Sequence, residues 1–327
     1  MIDFCILGSG VAGSTVANLL SKKYTLEVFD KARGPGGRTS NKKLKLNLSF
    51  DHGLQYFSPK TNGFQKLINT LHAKKIFKTW NGKHLDLTFE KKKNTQKFIG
   101  KKSNNDFCKY QLKNIKQNYL SHIKKIDYKK KIWEITLKSN KKLKFRGLIL
   151  TCPYPQLKKI AKKYLIKKIL NLKVKMQPNI TVMIALRNRK NLPISSIKFN
   201  DDVLAWAANE NSKKRFKSNI NLWTLQSSIK WANKNINFYK KNNLITKKLY
   251  TKFLKITGMM GCKIIDVKTH GWKYSYNFNS TKLKSYWSKN NSLGVCADWF
   301  IGPKAENAWQ SAVDLSNKIK KNPTIIK

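Results

Sequence analysis

Acidic residues are scarce in this chain. Sixteen Asp plus Glu stand against 68 Lys plus Arg, a formal net charge of +52 over 327 residues. Such an excess attracts polyanions without specificity and favours a negatively charged substrate. It is nearly all Lys and is spread along the chain, as in Lys22-Lys23, Lys91-Lys92-Lys93, Lys129-Lys130-Lys131 and Lys247-Lys248. A specific nucleic-acid reader gathers its cations on one face around a recognisable reading element. None is visible, so no specific nucleic-acid partner is expected, and the lysines read as compositional drift on solvated faces. Cysteines are few. Cys5, Cys108, Cys152, Cys262 and Cys296 are widely spaced, with no CxxC pair and no metal-ligand spacing. Their odd number argues against a disulfide framework, and no metal site is expected. No run is long and apolar enough to span a membrane. The first strand starts at once, leaving no room for a signal peptide, so a cytoplasmic protein is expected. Internal repeats and low-complexity linkers are absent. Hydrophobic residues make up 40% of the chain, enough for a real core, and the length suits two domains or one domain split by an insertion.

What is present is concentrated near the N-terminus. Ile2 to Leu7 reads as a short buried strand, followed at once by Gly8-Ser9-Gly10-Val11-Ala12-Gly13 and a helical stretch from Ser14 to Ser21. A second strand, Tyr24 to Phe29, ends on Asp30 beside Lys31. Gly8 permits a tight turn, Gly10 lets backbone N–H groups approach a pyrophosphate, and Gly13 lets the helix pack on the strand. The helix N-terminus, at Val11 and Ala12, faces the phosphates with its positive dipole. An acidic residue about twenty positions on, here Asp30, accepts hydrogen bonds from a ribose hydroxyl. This order of elements points to dinucleotide binding, with NAD and FAD both open.

Further along, Asn62 to Ala73 has helical period, residues 77–99 alternate like strands around an Asn81-Gly82 turn, and Ile132–Leu137 with Leu143–Phe145 suggest a hairpin. Gly147 to Thr151 is a buried strand stopped by Pro153 and Pro155. Residues 156–172 read as a basic helix, Ile180–Leu186, Leu204–Ala208 and Leu222–Ser227 as strands of one sheet, and residues 241–257 as a helix. Near the C-terminus a strand, Leu293–Ala297, runs into Asp298, a loop through Gly302 follows, and a helix opens near Glu306-Asn307-Ala308. Asp298 suits ribityl hydroxyls, and the helix N-terminus suits the flavin edge where negative charge develops on reduction. Joined to the N-terminal fingerprint, this unit favours FAD. The expected class is α/β: a Rossmann-like FAD-binding domain (mixed or parallel sheet with helices) carrying an inserted, mostly antiparallel α+β substrate domain. Residues 1–72, 100–155 and 270–327 form the first, and residues 73–99 and 156–269 the second.

The chain resembles the renalase-like branch of the FAD-dependent amine oxidase superfamily, the bacterial NAD(P)/FAD-dependent oxidoreductases. The resemblance covers nearly the whole chain. It rests on Gly8, Gly10, Gly13 and Asp30; on Arg33-Gly34-Pro35-Gly36-Gly37-Arg38; and on Asp51-His52-Gly53-Leu54-Gln55-Tyr56. Thr151 to Gln156, Trp206 to Lys213, Trp223 through Trp231, His270 to Tyr274 and the Asp298 unit complete it. It implies that Gly37 and Arg38 meet the pyrophosphate, that Gln55 and Tyr56 approach the flavin ring, and that Ile123 offers backbone contacts to adenine. Four departures stand out: Asp30 where Glu is usual, Cys296-Ala297 in place of a Gly-containing pair, Gly271 in place of Arg, and Lys102-Ser103-Asn104 in place of a Gly-Pro-Gly-Met-like turn. The first two leave FAD binding intact, and the last two lie nearer the substrate.

The implied reaction is hydride transfer from a reduced small molecule, such as a dihydronicotinamide isomer of a dinucleotide, to flavin N5. Reoxidation by O2 follows. A dihydronicotinamide donor needs no general base, so the protein supplies stacking, orientation and exclusion of water. Trp272, Tyr274 and Trp299 are candidates to flank the flavin and equally candidates for core, and His270 is a candidate acid–base group. The competing expectations are a flavin amine oxidase or desaturase acting on a small amine or isoprenoid, and a non-catalytic FAD- or polyanion-binding protein. A polycationic amine is disfavoured by the chain's own charge. A monomer or a homodimer fits equally.

Overall fold

A computed structural model of the chain describes residues 1–44, 48–88, 95–187 and 192–323. The lysine run at 91–93 lies outside the described residues. The first sheet has six strands in the order Tyr286–Ser288, Leu293–Val295, Gly147–Leu150, Phe4–Leu7, Leu26–Phe29 and Lys116–Asn118. All its pairings are parallel except that of Tyr286–Ser288, which runs antiparallel along one edge. Phe4–Leu7 and Gly147–Leu150 are buried at every residue, as a central parallel strand covered on both faces must be. One face is covered by the helices Val11–Leu20, Asn62–Ala73, Asp106–Gln111 and Ala305–Lys321, packed around Phe4, Ile6, Phe64 and Phe107. The other face carries a three-stranded antiparallel sheet, Ile123–Lys129, Ile132–Leu137 and Lys142–Phe145, whose Trp133 is fully buried. This is a Rossmann-like α/β fold.

The second sheet is antiparallel apart from one edge. Its order is Lys263–Tyr276, Gln177–Arg187, Asn221–Ser227, Leu204–Asn209, Ser196–Lys198 and His84–Asp86, the last pair being parallel. The helix Asn243–Ile256 turns Ile245, Leu249, Phe253 and Leu254 onto Ile180, Val182, Trp223 and Leu225.

Two expectations change here. Residues 156–172 are not one helix of the second domain. They form Tyr154–Ala161 and Lys167–Leu170 with a short turn between, and Leu157, Ala161, Leu165 and Ile169 pack beneath the first sheet beside Trp133 and Phe145. A stripe repeating every four residues drifts about 40° per step around a straight helix. The break restores all four to one face. The expected boundary at residue 270 falls inside the continuous strand Lys263–Tyr276, which therefore belongs to the second sheet up to Tyr276. The five cysteines are unpaired thiols, with Cys5, Cys108 and Cys296 fully buried.

The tightest approach in the first sheet is at Gly13, where an added Cβ would overlap the backbone carbonyl oxygen of Gly8. Neither the strand nor the helix can yield there without losing core contacts. Gly13→Ala is expected to destabilise the fold by about 3 kcal/mol, read as a lowered thermal midpoint by circular dichroism. A midpoint within about 2 °C of the parent would show that the helix is free to shift.

Candidate functional site

The carboxyl ends of Phe4–Leu7, Gly147–Leu150 and Leu293–Val295 lie side by side, which is where ligands bind in sheets of this kind. Gly8 leaves the first strand at φ +110°, pressed against the Thr151 side chain, whose hydroxyl donates to the Leu7 carbonyl at 2.9 Å. Gly10 caps the helix Val11–Leu20 without any side-chain hydrogen bond, and no acidic residue sits in the first turn. The N–H groups at Val11, Ala12 and Gly13 thus carry an uncompensated positive end. The loop Gly34–Gly37 folds over them: Gly36 N–H donates to Ser9 O at 3.0 Å, and Gly10 bridges to Gly36. A Cβ on Gly10 would stand 3.8 Å from Gly36 O and 3.9 Å from Gly37 Cα, so the two glycine segments face each other across a narrow gap.

Asp30 ends the second strand as expected. Its carboxylate accepts from Ser9 N at 2.8 Å, Ser9 Oγ at 2.7 Å and Ala32 N at 2.9 Å. Lys31 beside it is exposed, and Ser121 and Leu120 hydrogen-bond back to Asp30 and Ala32, which brings the start of the strand at Ile123 to this end of the cleft.

Arg38 and Asp298, 260 residues apart, form a bidentate ion pair. The two guanidinium nitrogens stand 2.8 and 2.5 Å from the two carboxylate oxygens, and one of them also donates to Ser275 O at 2.9 Å. Asp298 is buried and the Arg38 side chain as a whole is one-third exposed. Such planar, charge-assisted pairing holds both groups in register. Glu306, assigned to the cofactor from sequence, is used elsewhere: its carboxylate accepts from Lys60 N, Thr61 N and Thr61 Oγ1, holding the start of the helix Asn62–Ala73. An acid at a helix N-terminus is stabilising in its own right. Ala308 is packed in the core, and the Asn307 amide lies by Gly302.

The segment Asp51–Tyr56 runs beside Arg38. Leu54 N–H donates to Arg38 O at 2.8 Å, Trp272 Nε1 to His52 O at 2.9 Å, and Gln226 Nε2 to Gly53 O at 2.7 Å. The segment is thereby tied to the second sheet. Gln55 points inward. Its amide donates to the Asp51 and Gly53 carbonyls and accepts from Lys213, so its polar atoms are engaged within the protein. Tyr56 lies between the rings of Trp80 and Trp206, each centred 6.0 Å away.

His270 is not isolated. Its ring stands 4.3 Å from Trp272 and 4.9 Å from His52, and His52 stacks on Trp272 at 5.0 Å. Burial pushes the His52 pKa down to about 3, with His270 and Lys42 adding repulsion. It pushes His270 down to about 4, with Lys42 and Lys240 contributing. Both rings are neutral at neutral pH. Tyr274 lies two residues beyond Trp272, half-buried. Trp299 is core: it is fully buried, packed on Tyr154 and Phe300, and donates to Cys152 O. Among the described residues no group of three potential metal ligands occurs, and no helix is long and apolar enough to cross a membrane.

Residues 6–71 match the family of NAD(P)-binding Rossmann-like domains. A 53-residue stretch is 38% identical to an uncharacterized protein of Methanocaldococcus jannaschii, covering 16% of this chain and 14% of that protein's length. Among solved structures, a candidate protoporphyrinogen oxidase from Exiguobacterium sp. 255-15 superposes with TM-score 0.74 at 8% identity, over 98% of this chain and 99% of that one. An engineered putrescine oxidase superposes with TM-score 0.68 at 9% identity, over 98% of each chain. At such identities the likeness is one of fold, and it extends along nearly the whole chain.

The neutral histidines set a pH dependence. An unfolded histidine binds its proton near about 6.5, whereas the folded His52 resists protonation far below that value. The unfolded state therefore holds more protons across this window, so stability is full above it and falls as pH drops toward 3. His52 contributes at most about 1.4 kcal/mol per pH unit there, and the half-exposed His270 less. His52→Gln is expected to flatten the acid limb of denaturant stability between about pH 6 and 4. An unchanged slope would show that His52 titrates alike in both states.

Proposed function

We propose that this chain is an FAD-dependent oxidoreductase of renalase-like type, which takes a hydride from a reduced small molecule such as a dihydronicotinamide dinucleotide isomer and returns the electrons to O2. The observation that carries this reading is the convergence of Gly10, Gly36–Gly37 and the Arg38–Asp298 pair on one cleft, built from both ends of the chain. The donor set fits a dinucleotide. An uncapped helix N-terminus and the partly exposed Arg38 side chain suit a pyrophosphate, and Gly10 and Gly37 face each other with no side chain between them. Bound there, FAD supplies a two-electron acceptor that O2 can reoxidise.

The chain's own residues then have separable tasks. Val11, Ala12, Gly13, Gly37 and Arg38 would hold the pyrophosphate, and Asp30 would accept ribose hydroxyls at the adenosine end, near Ile123. Asp298 would orient the ribityl side while Arg38 keeps its charge balanced. Trp272 and Tyr274 would orient the substrate ring. His270, neutral at working pH, is able to accept a proton but is not required to when the donor already carries a hydride. The lysine surplus favours an anionic dinucleotide substrate over a polyamine. The likeness to solved proteins named as oxidases, one of them a putrescine oxidase, supports oxidoreductase chemistry and keeps a flavin amine oxidase as the second reading.

The first measurement is colour. The purified protein should be yellow, with a flavin released on denaturation. A colourless protein that cannot be reconstituted with FAD would overturn both readings. Anaerobic mixing with dihydronicotinamide isomers and with small amines then separates them by which class bleaches the flavin. Gly10→Val provides the structural control. Its Cβ falls in ordinary contact, 3.8 Å from Gly36 O and 3.9 Å from Gly37 Cα, so the backbone should stand while the two methyl groups fill the gap. Loss of FAD at near-parental thermal stability is expected, and full retention of FAD would refute the pyrophosphate site.

A further inference from the structure

Four ionisable side chains, formally two cations and two carboxylates, lie buried between the Asp51–Tyr56 segment and the second sheet, and burial raises the pKa of Glu210. Lys213, with no exposed side-chain surface, sends its ammonium to Asp51 Oδ2 at 2.8 Å, Gln55 Oε1 at 3.0 Å and Glu210 Oε1 at 3.0 Å. Arg215 pairs with Asp51 and donates to Gly100 O and Asn104 Oδ1, each at 3.0 Å. Thr224 Oγ1 donates to Glu210 at 2.8 Å. Two cations and two carboxylates make the group neutral. Burying four charges is a weak way to gain stability, since apolar residues of like size often do as well. The arrangement is better explained by what it orients.

The contacts of Lys213 converge on Tyr56. The residue before Tyr56 is Gln55, whose amide oxygen takes a proton of Lys213 while its nitrogen is held by two backbone carbonyls. The ring beside Tyr56 is Trp80, whose Nε1 donates to Ser212 Oγ at 2.9 Å and over which the Lys213 ammonium sits, 5.3 Å from the centroid. Trp206, the other neighbouring ring, lies on the strand Leu204–Asn209 that leads into the Asn211–Lys213 turn. Tyr56 is thus held through its chain neighbour and through its ring neighbour, both tied to residues 212 and 213.

We propose that Lys213 is a positioning residue that sets the orientation of Tyr56, through Gln55 and Trp80, on the segment that runs beside Arg38. The proposal rests on the FAD reading above for its functional consequence, and its geometric part stands without it. Tyr56 presents its ring from one fixed direction because a buried ammonium, unlike a neutral side chain, satisfies Asp51, Gln55 and Glu210 together. Removing it frees Gln55 to rotate and Trp80 to shift, and Tyr56 follows.

K213M alone leaves excess negative charge inside and can simply fail to fold, so the decisive variant is E210Q/K213M, which keeps the group neutral. It is compared with the parent and with Y56L, alone and combined. Near-ultraviolet circular dichroism reads the Tyr56–Trp80–Trp206 rings without any cofactor, and visible circular dichroism reads bound flavin. E210Q/K213M is expected to keep its far-ultraviolet spectrum and FAD content, to lose the Tyr56-dependent part of the near-ultraviolet band and to shift the visible flavin band. In the Y56L background the flavin shift should vanish and the near-ultraviolet change should fall to what Trp80 alone contributes, because Lys213 acts on the flavin through Tyr56. Equal changes in both backgrounds would overturn the proposal, as would loss of FAD from a folded E210Q/K213M, which would assign the cluster to cofactor retention. If the parent protein holds no FAD, the functional reading falls while the near-ultraviolet comparison still decides the link between Lys213 and Tyr56.

Discussion

The parallel pairing of Phe4–Leu7, Gly147–Leu150 and Leu293–Val295 is the constraint on which everything else depends. Parallel neighbours cannot be joined by hairpins, so each pairing requires a long crossover. The same pairing aligns three carboxyl ends, and there the chain sets Gly8–Gly13, Thr151 and Asp298 together. The tight turn at Gly8, the uncapped helix start and the Arg38–Asp298 pair follow from that alignment. None of them would lie beside the others if the middle strand were displaced.

How much was legible in the sequence depends on whether the signal is local. The glycine loop, Asp30, the Ile132–Phe145 hairpin and the strand into Asp298 are each read from consecutive residues, and the structure has those elements. The break between Tyr154–Ala161 and Lys167–Leu170 was hidden, because a four-residue apolar repeat in a lysine-rich stretch looks like one helix until the packing surface is known. The continuity of Lys263–Tyr276 was hidden for a related reason: its residues are mostly half-buried, so no clean alternation marks the strand.

Site residues divide along the same line. Asp298 and Arg38 stood out by motif, yet their pairing across 260 positions is a tertiary fact. Glu306 and Gln55 have the right residue type in the right motif, but competing partners claim them: a helix start for one, Lys213 for the other. Lys213 is invisible by composition, because a buried lysine among so many solvated ones carries no mark of its own. His52 likewise gains meaning only from Trp272 and His270, brought to it by a strand more than two hundred residues away. Acid scarcity offers a partial clue. With few carboxylates in the chain, those buried among the described residues, Glu27, Asp51, Asp106, Glu210, Asp298 and Glu306, each hold two or more partners.

Apart from its edge strand His84–Asp86, the second sheet enters the chain after Gly147–Leu150 and is left before Leu293–Val295, two strands that are immediate neighbours. Its departure and return are therefore anchored on one rigid ladder, like a long loop closed by the sheet it interrupts. A segment so inserted can change its length, lining and chemistry while the glycine cleft beneath it keeps its form. The lining over the cleft is thereby separable, in construction, from the glycine turns and the Arg38–Asp298 pair that form its floor.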